Sequence, residues 1–127
     1  MKHWPCGLLL ALASVSGARA QEIVIGQFPE RDGQQLFEHI CQGCHMPDAR
    51  GAVAAARYPA LAANARLATA TYPVIVLLHG LRGMPTFADS LDDEQIASVL
   101  NYVRTHFGNH YRDRITVELV NRIRMAQ

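Results

Sequence analysis

The sequence predicts an all-α domain of short helices joined by long loops. Two observations carry that prediction. Near the C-terminal end Ile96, Val99, Leu100, Val103 and Phe107 recur at helical spacing between a cluster of acids and Gly108. Elsewhere Pro and Gly interrupt the chain so often that only short helices fit between them, and no strand-like alternation stands out. The 127 residues make one domain. Half of them are apolar and 18% charged, which excludes a disordered chain. A formal net charge of +1 gives no pull toward nucleic acid. A large enzyme, a repeat array and a multi-span membrane protein are excluded by the same figures.

Residues 1–20 predict a secretory signal peptide. Met1-Lys2-His3 is a short basic start, residues 6–16 are an apolar run, and Ala18-Arg19-Ala20 has the small residues a signal peptidase reads. The run is about half of the ~20 residues a spanning helix needs. Cleavage after Ala20 removes Cys6, Lys2 and Arg19, leaving residues 21–127 with ten basic residues against eleven acidic and no lysine. The expected location is periplasmic.

In the exported part, Ile23-Val24-Ile25 suggests an extended arm. Asp32 can cap a helix over roughly 33–41 that carries Leu36, Phe37 and Ile40 on one face. Pro47, Asp48 and Gly51 end it, and 46–58 reads as loop with a helical turn. Pro59 and Leu61 open a short helical stretch through Ala70. Pro73 suits the start of another helix, whose Val74-Ile75-Val76-Leu77-Leu78 is apolar all round and so predicts burial. Gly80 and Gly83 stop it, and Met84-Pro85 is an extended pair in a loop. Ser90 is a good N-cap for the helix of the opening observation, with Asp92, Asp93 and Glu94 in its first turn. Thr116, Leu119, Val120 and Ile123 suggest a last helix over roughly Val117 to Met125. It lies in a C-terminal helical extension, about 111–127, that could dock a partner or simply cover the domain. Loops this long are unusual in a small domain unless something fills the space between them.

The chemistry concentrates in Cys41-Gln42-Gly43-Cys44-His45, the C-x-x-C-H arrangement of covalent haem c attachment. Two cysteines three apart meet the two vinyl groups of one haem as thioethers, and the next residue, His45, supplies an axial nitrogen to the iron. A redox C-x-x-C would not need the histidine, and a zinc site would need a second pair of ligands. For the other axial position, Met84 is far enough along the chain to wrap around a haem and has helix-breaking flanks. A thioether there fills the coordination shell and raises the reduction potential. Met46 is too close to His45, and Met125 sits at the tail. His79 is the rival ligand.

These residues together resemble a class I cytochrome c over nearly all of 21–127. Gly33 and Phe37, eight and four residues before the first cysteine, match the family's helix contact, with Val99 and Tyr102 as partners. Pro59 and Leu61 match its Pro-x-Leu, in which the proline carbonyl accepts from the axial histidine ring and the leucine packs on the haem. Met84-Pro85 followed by Phe87 resembles the distal loop. The strings 76–81, 84–87 and 100–104 are similar to small periplasmic cytochromes that accept electrons from dehydrogenases.

The resemblance implies a cytochrome c-like helical fold around one covalent haem. It further implies a one-electron carrier with His45 and Met84 as axial ligands, and not an enzyme. The expected donor is a dehydrogenase and the acceptor a cytochrome or an oxidase, with any membrane association through a partner. The alternatives are a fixed haem c subunit of a dehydrogenase complex and a five-coordinate haem sensor or peroxidase. Many class I members dock through a ring of lysines. This exported chain has none, so Arg57, Arg66 and Arg82 either hold haem propionates or face a partner, and apolar contact and shape carry more of the docking.

Overall fold

A computed structural model describes residues 28–53 and 57–126. The signal segment, Cys6 and the arm at 21–27 lie outside the described residues. The first helical run holds three geometries in sequence. Gly33–Leu36 (α1) is α-helical, Phe37–Cys41 is π-helical with the Gln42 N–H reaching the Phe37 carbonyl, and Gln42–His45 (α2) is α-helical again. Asp32 caps its start, its carboxylate accepting from Gln34 and Gln35. The run therefore extends past the expected end near 41 and carries both cysteines and His45. Single π turns of this kind are frequent at functional sites.

The loop after it contains a minimal antiparallel ladder, Ala52–Val53 (β1) on Arg57–Tyr58 (β2), where only loop was expected. The stretch from Pro59 to Ala70 is mostly irregular, with a single 3₁₀ turn at Ala65–Ala68. Its backbone polar groups turn outward to other segments, as the site below requires. Thr71–His79 (α3) starts two residues before Pro73; a proline this early is tolerated because the first N–H groups of a helix have no internal acceptor. Val74, Leu77 and Leu78 are buried, while Ile75 is exposed, so α3 is covered on one side rather than all round.

Asp93–Thr105 (α4) is capped by Asp92, not Ser90, because Asp92 and Gln95 form a reciprocal capping box. It ends before Phe107, which adopts a positive φ of 55° yet still packs its ring 4.7 Å from Phe37. Val117–Met125 (α5) begins at Thr116, whose hydroxyl accepts from Leu119.

The core is formed by α1, α3 and α4 with α5 across them, and includes Leu36, Phe37, Val74, Leu78, Ile96, Val99, Leu100, Val103, Ile115 and Val120. The crossing of α1 and α4 is close. A Cβ on Gly33 would lie 2.4 Å from the Ser98 carbonyl oxygen and 2.9 Å from the Tyr102 Cβ. Tyr102 packs tilted against Phe37, ring centroids 5.9 Å apart, as the family pattern implied for this pair. No helix among the described residues is long and apolar enough to cross a membrane.

Candidate haem site

The helical run delivers Cys41, Cys44 and His45 from consecutive turns. Both cysteines are free thiols; Cys44 is exposed and Cys41 half-buried. Burial, with Cys44 beside it, pushes the Cys41 thiol up to about 12, so it stays protonated at neutral pH. His45 is only 7% exposed. Its Nδ1 lies 2.8 Å from the Pro59 carbonyl oxygen. A carbonyl only accepts, so Nδ1 is the donor, which leaves Nε2 as the nitrogen free of Pro59. The bond holds the ring in the orientation that suits a metal ligand.

Backbone contacts on either side of Pro59 hold it against the first helical run. The Gly51 N–H binds the His45 carbonyl at 3.0 Å, and the Ala49 carbonyl accepts from Leu61 at 2.8 Å and Ala62 at 2.9 Å. Gly51 has φ 69°, and a Cβ there would meet the Tyr58 carbonyl oxygen at 2.2 Å, so only glycine lets Pro59 approach. Leu61, half-buried, packs against the core. From the far side, buried Asn109 accepts from the Asn64 N–H at 2.9 Å and donates to the carbonyls of Leu61 and Val103, each at 2.9 Å. Asn109 was given no role in the sequence, and neither was Arg104. That side chain, 1% exposed, donates to Leu67, Ala68 and both the carbonyl and the carboxylate of Asp113, which ties the 3₁₀ turn to the tail. One signal for Arg104 was present: it continues the Ile96–Leu100 spacing by four onto the buried face of α4.

Met84 arrives on a different segment. It is half-buried against the core, and its backbone pairs with Leu81 in both directions at 3.0 Å. Gly80, with φ 72°, allows that turn; a Cβ would fall 2.6 Å from the Met84 carbonyl oxygen. Beyond it the Thr86 hydroxyl donates to the Leu78 carbonyl at 2.7 Å and the Phe87 N–H to Leu77 at 2.8 Å, returning the chain to α3. His79, the rival, is exposed at the end of α3, as are Arg57, Arg66 and Arg82.

The donor set suits a haem c: two free thiols at the right spacing, and a buried imidazole with Nε2 uncommitted to Pro59. Two exposed large side chains flank the other proposed haem-contact residues in the chain: Tyr58 precedes Pro59, and Leu81, 46% exposed, pairs with Met84. Among the described residues, no third Cys, His, Asp or Glu joins Cys41 and Cys44 in a cluster that could hold a bare metal ion.

Comparison with known proteins agrees. Residues 29–103 match the family model described as cytochrome c oxidase, cbb3-type, subunit III. The chain is 33% identical over 97 residues to cytochrome c-552 of Thermus thermophilus, covering 63% of this chain and 71% of that protein. It is 34% identical over 93 residues to the fructose dehydrogenase cytochrome subunit of Gluconobacter japonicus, covering 61% of this chain and 19% of that subunit. It is 30% identical over 118 residues to the cytochrome c subunit of the quinone alcohol dehydrogenase of Gluconacetobacter polyoxogenes, covering 83% of this chain and 25% of that subunit. The match therefore spans about a fifth to a quarter of these two dehydrogenase subunits.

Proposed function

Because this chain belongs to the class I c-type cytochromes, helical electron-transfer proteins that carry haem c, we propose that it is a periplasmic one-electron carrier with a single haem, joined to Cys41 and Cys44 and ligated by His45 and Met84. The haem supplies the redox couple, ferric to ferrous and back. The rest is done by the chain. The thiols of Cys41 and Cys44 would hold the haem through its vinyl groups. His45 offers Nε2, and the Pro59 carbonyl orients its ring. Met84 would hold the iron through its thioether, which would favour the reduced state. The carrying observation is the 2.8 Å bond from His45 to Pro59, which orients a buried imidazole one residue after a C-x-x-C. Half-buried Met84 suits ligation better than exposed His79.

The donor in this reading is a dehydrogenase and the acceptor a respiratory cytochrome or oxidase. Export rests on the signal pattern at 1–20. With no lysine after residue 20, docking relies on exposed apolar side chains such as Leu81 and on shape, and Arg57, Arg66 and Arg82 are exposed cations that could face a partner. A fixed place in a dehydrogenase complex is the second reading, favoured by the similarity to the two dehydrogenase cytochrome subunits. Co-purification with a dehydrogenase from its native host separates carrier from subunit.

The ligation is tested on the ferric holoprotein, where a sulfur-to-iron charge-transfer band is expected. Met84→Ala abolishes the band and lowers the potential, whereas His79→Ala changes neither. A band that survives Met84→Ala, or rapid carbon monoxide binding by the native ferrous protein, refutes the assignment.

A further inference from the structure

The helix α5 makes an unusual polar contact for a terminal element. Arg124, 24% exposed, spends all three guanidinium nitrogens in one direction. Nε donates to Asp93 Oδ1 at 2.7 Å, Nη1 to the Ala88 carbonyl and Nη2 to the Leu91 carbonyl at 2.9 Å. Asn121, one turn earlier, holds the other Asp93 oxygen at 2.9 Å. Buried Val120 and half-buried Leu119 and Ile123 seat the helix against the core, so the guanidinium is presented from a fixed base.

The two carbonyls it grips belong to the segment that follows Met84. Leu91 and Ser90 both donate their N–H to the Phe87 carbonyl, at 2.9 and 3.1 Å, closing the turn that Arg124 bridges from Ala88 to Leu91. Phe87 in turn donates to Leu77, and Thr86 to Leu78. The Met84 loop is therefore held at two ends: by the last turn of α3 on one side, and by the 87–91 turn on the other. The outermost brace of that second end is Arg124, which also binds it to the first turn of α4.

We infer that Arg124 is a positioning residue for Met84, acting through the Ala88 and Leu91 carbonyls to keep the distal loop closed. This rests on the proposed Met84 ligation. Detachment of a methionine from iron requires the loop to move outward, and each bond that must break first makes the open form rarer. Charged hydrogen bonds to buried or half-buried carbonyls are the strong kind, so losing the set raises the open population by at least tenfold (about 1.4 kcal/mol). A purely structural arginine would lower overall stability without altering ligand exchange in the folded protein.

The test titrates imidazole into the ferric holoprotein and follows loss of the sulfur-to-iron band in the native form, Arg124→Met, Arg124→Lys and Asn121→Ala. Arg124→Met is expected to bind imidazole at least tenfold more tightly, Arg124→Lys by an intermediate amount, and Asn121→Ala, which leaves the loop carbonyls bonded, as the native protein does. Should Arg124→Met not yield folded holoprotein, Arg124→Lys against Asn121→Ala carries the same comparison. A native band with equal imidazole affinity in the native form and the Arg124 variants overturns the inference alone. A native protein without the band overturns the Met84 ligation, and this inference with it.

Discussion

Gly33→Ala pits two known effects of opposite sign against each other. Gly33 is the first residue of α1 and does not need a positive φ. By helix propensity alone, alanine there would stabilise the chain by up to about 1 kcal/mol. The added methyl, however, would lie 2.4 Å from the Ser98 carbonyl oxygen and 2.9 Å from both Ser98 C and Tyr102 Cβ. Two of these three atoms are backbone of a well-packed helix, so no side chain can swing aside. Ordinary contact starts near 3.4 Å, which requires α1 to back away from α4 by about 1 Å. A gap of that size forfeits a quarter to a half of each dispersion contact along the crossing. The contacts at stake include Phe37 against Tyr102, and the core to which Leu36, Val99 and Val103 all belong. Overpacking of this kind costs roughly 3 kcal/mol. Net of propensity, the loss is about 2 kcal/mol, a fall in Tm of roughly 10 °C for a domain of this size. Thermal unfolding of the holoprotein, followed by far-UV circular dichroism, reads it. A Tm equal to or above the native value would refute the close-crossing argument, because propensity would then have won.

Three further outcomes are expected. Arg104→Met strands the carbonyls of Leu67, Ala68 and Asp113 and should cost about 3 kcal/mol, seen as a urea midpoint lower by roughly 1–2 M. Asn109→Ala removes two hydrogen bonds to the loop that carries Pro59 and a third to Val103 of α4, and should lower stability by about 2 kcal/mol; an unchanged melting curve contradicts the bracing role of Asn109. Acid should destabilise the fold. His39, by its hydrogen bond, holds the Glu30 carboxyl below its ordinary 4.5; at Asp92 burial pushes upward, but the bonds from Gln95 and Arg31 outweigh it and hold the group below 3.8. Carboxyls lowered by folding stabilise fully above their ordinary values and lose that contribution as pH falls through the folded ones. Stability should thus decline below about pH 4.5, and less steeply in His39→Ala, as denaturant midpoints across that range would record.

How far the sequence could be read varies with the source of each feature. Local signals sufficed for α4 and α5, where apolar spacing and an oxygen-bearing cap agree, and for C-x-x-C-H, where adjacency is itself the geometry. Local signals misled where a distant partner decides. Pro59 to Ala70 looked helical, but its backbone groups are taken by Ala49, Phe107, Asn109 and Tyr111, so only four residues coil. Ser90 looked like the cap until Asp92 could form the box with Gln95. Arg104, Asn109 and Arg124 are polar residues that read as surface. Each is enclosed by segments far away in sequence, and only the spacing of Arg104 from Leu100 and of Arg124 from Val120 hinted that they lie on buried faces.

The bracing of the histidine loop sets an order of assembly. His45 takes its orientation from Pro59, but the stretch just beyond Pro59 is tied down by Phe107, Asn109 and Tyr111, some sixty residues after the histidine. A nascent chain ending anywhere before that point has the C-x-x-C-H and none of those ties. The imidazole therefore becomes fully constrained only when α4 has closed over the first helical run and the segment behind it has been made. A chain shorter than that would leave the His45 ring without the ties that hold Pro59 in place.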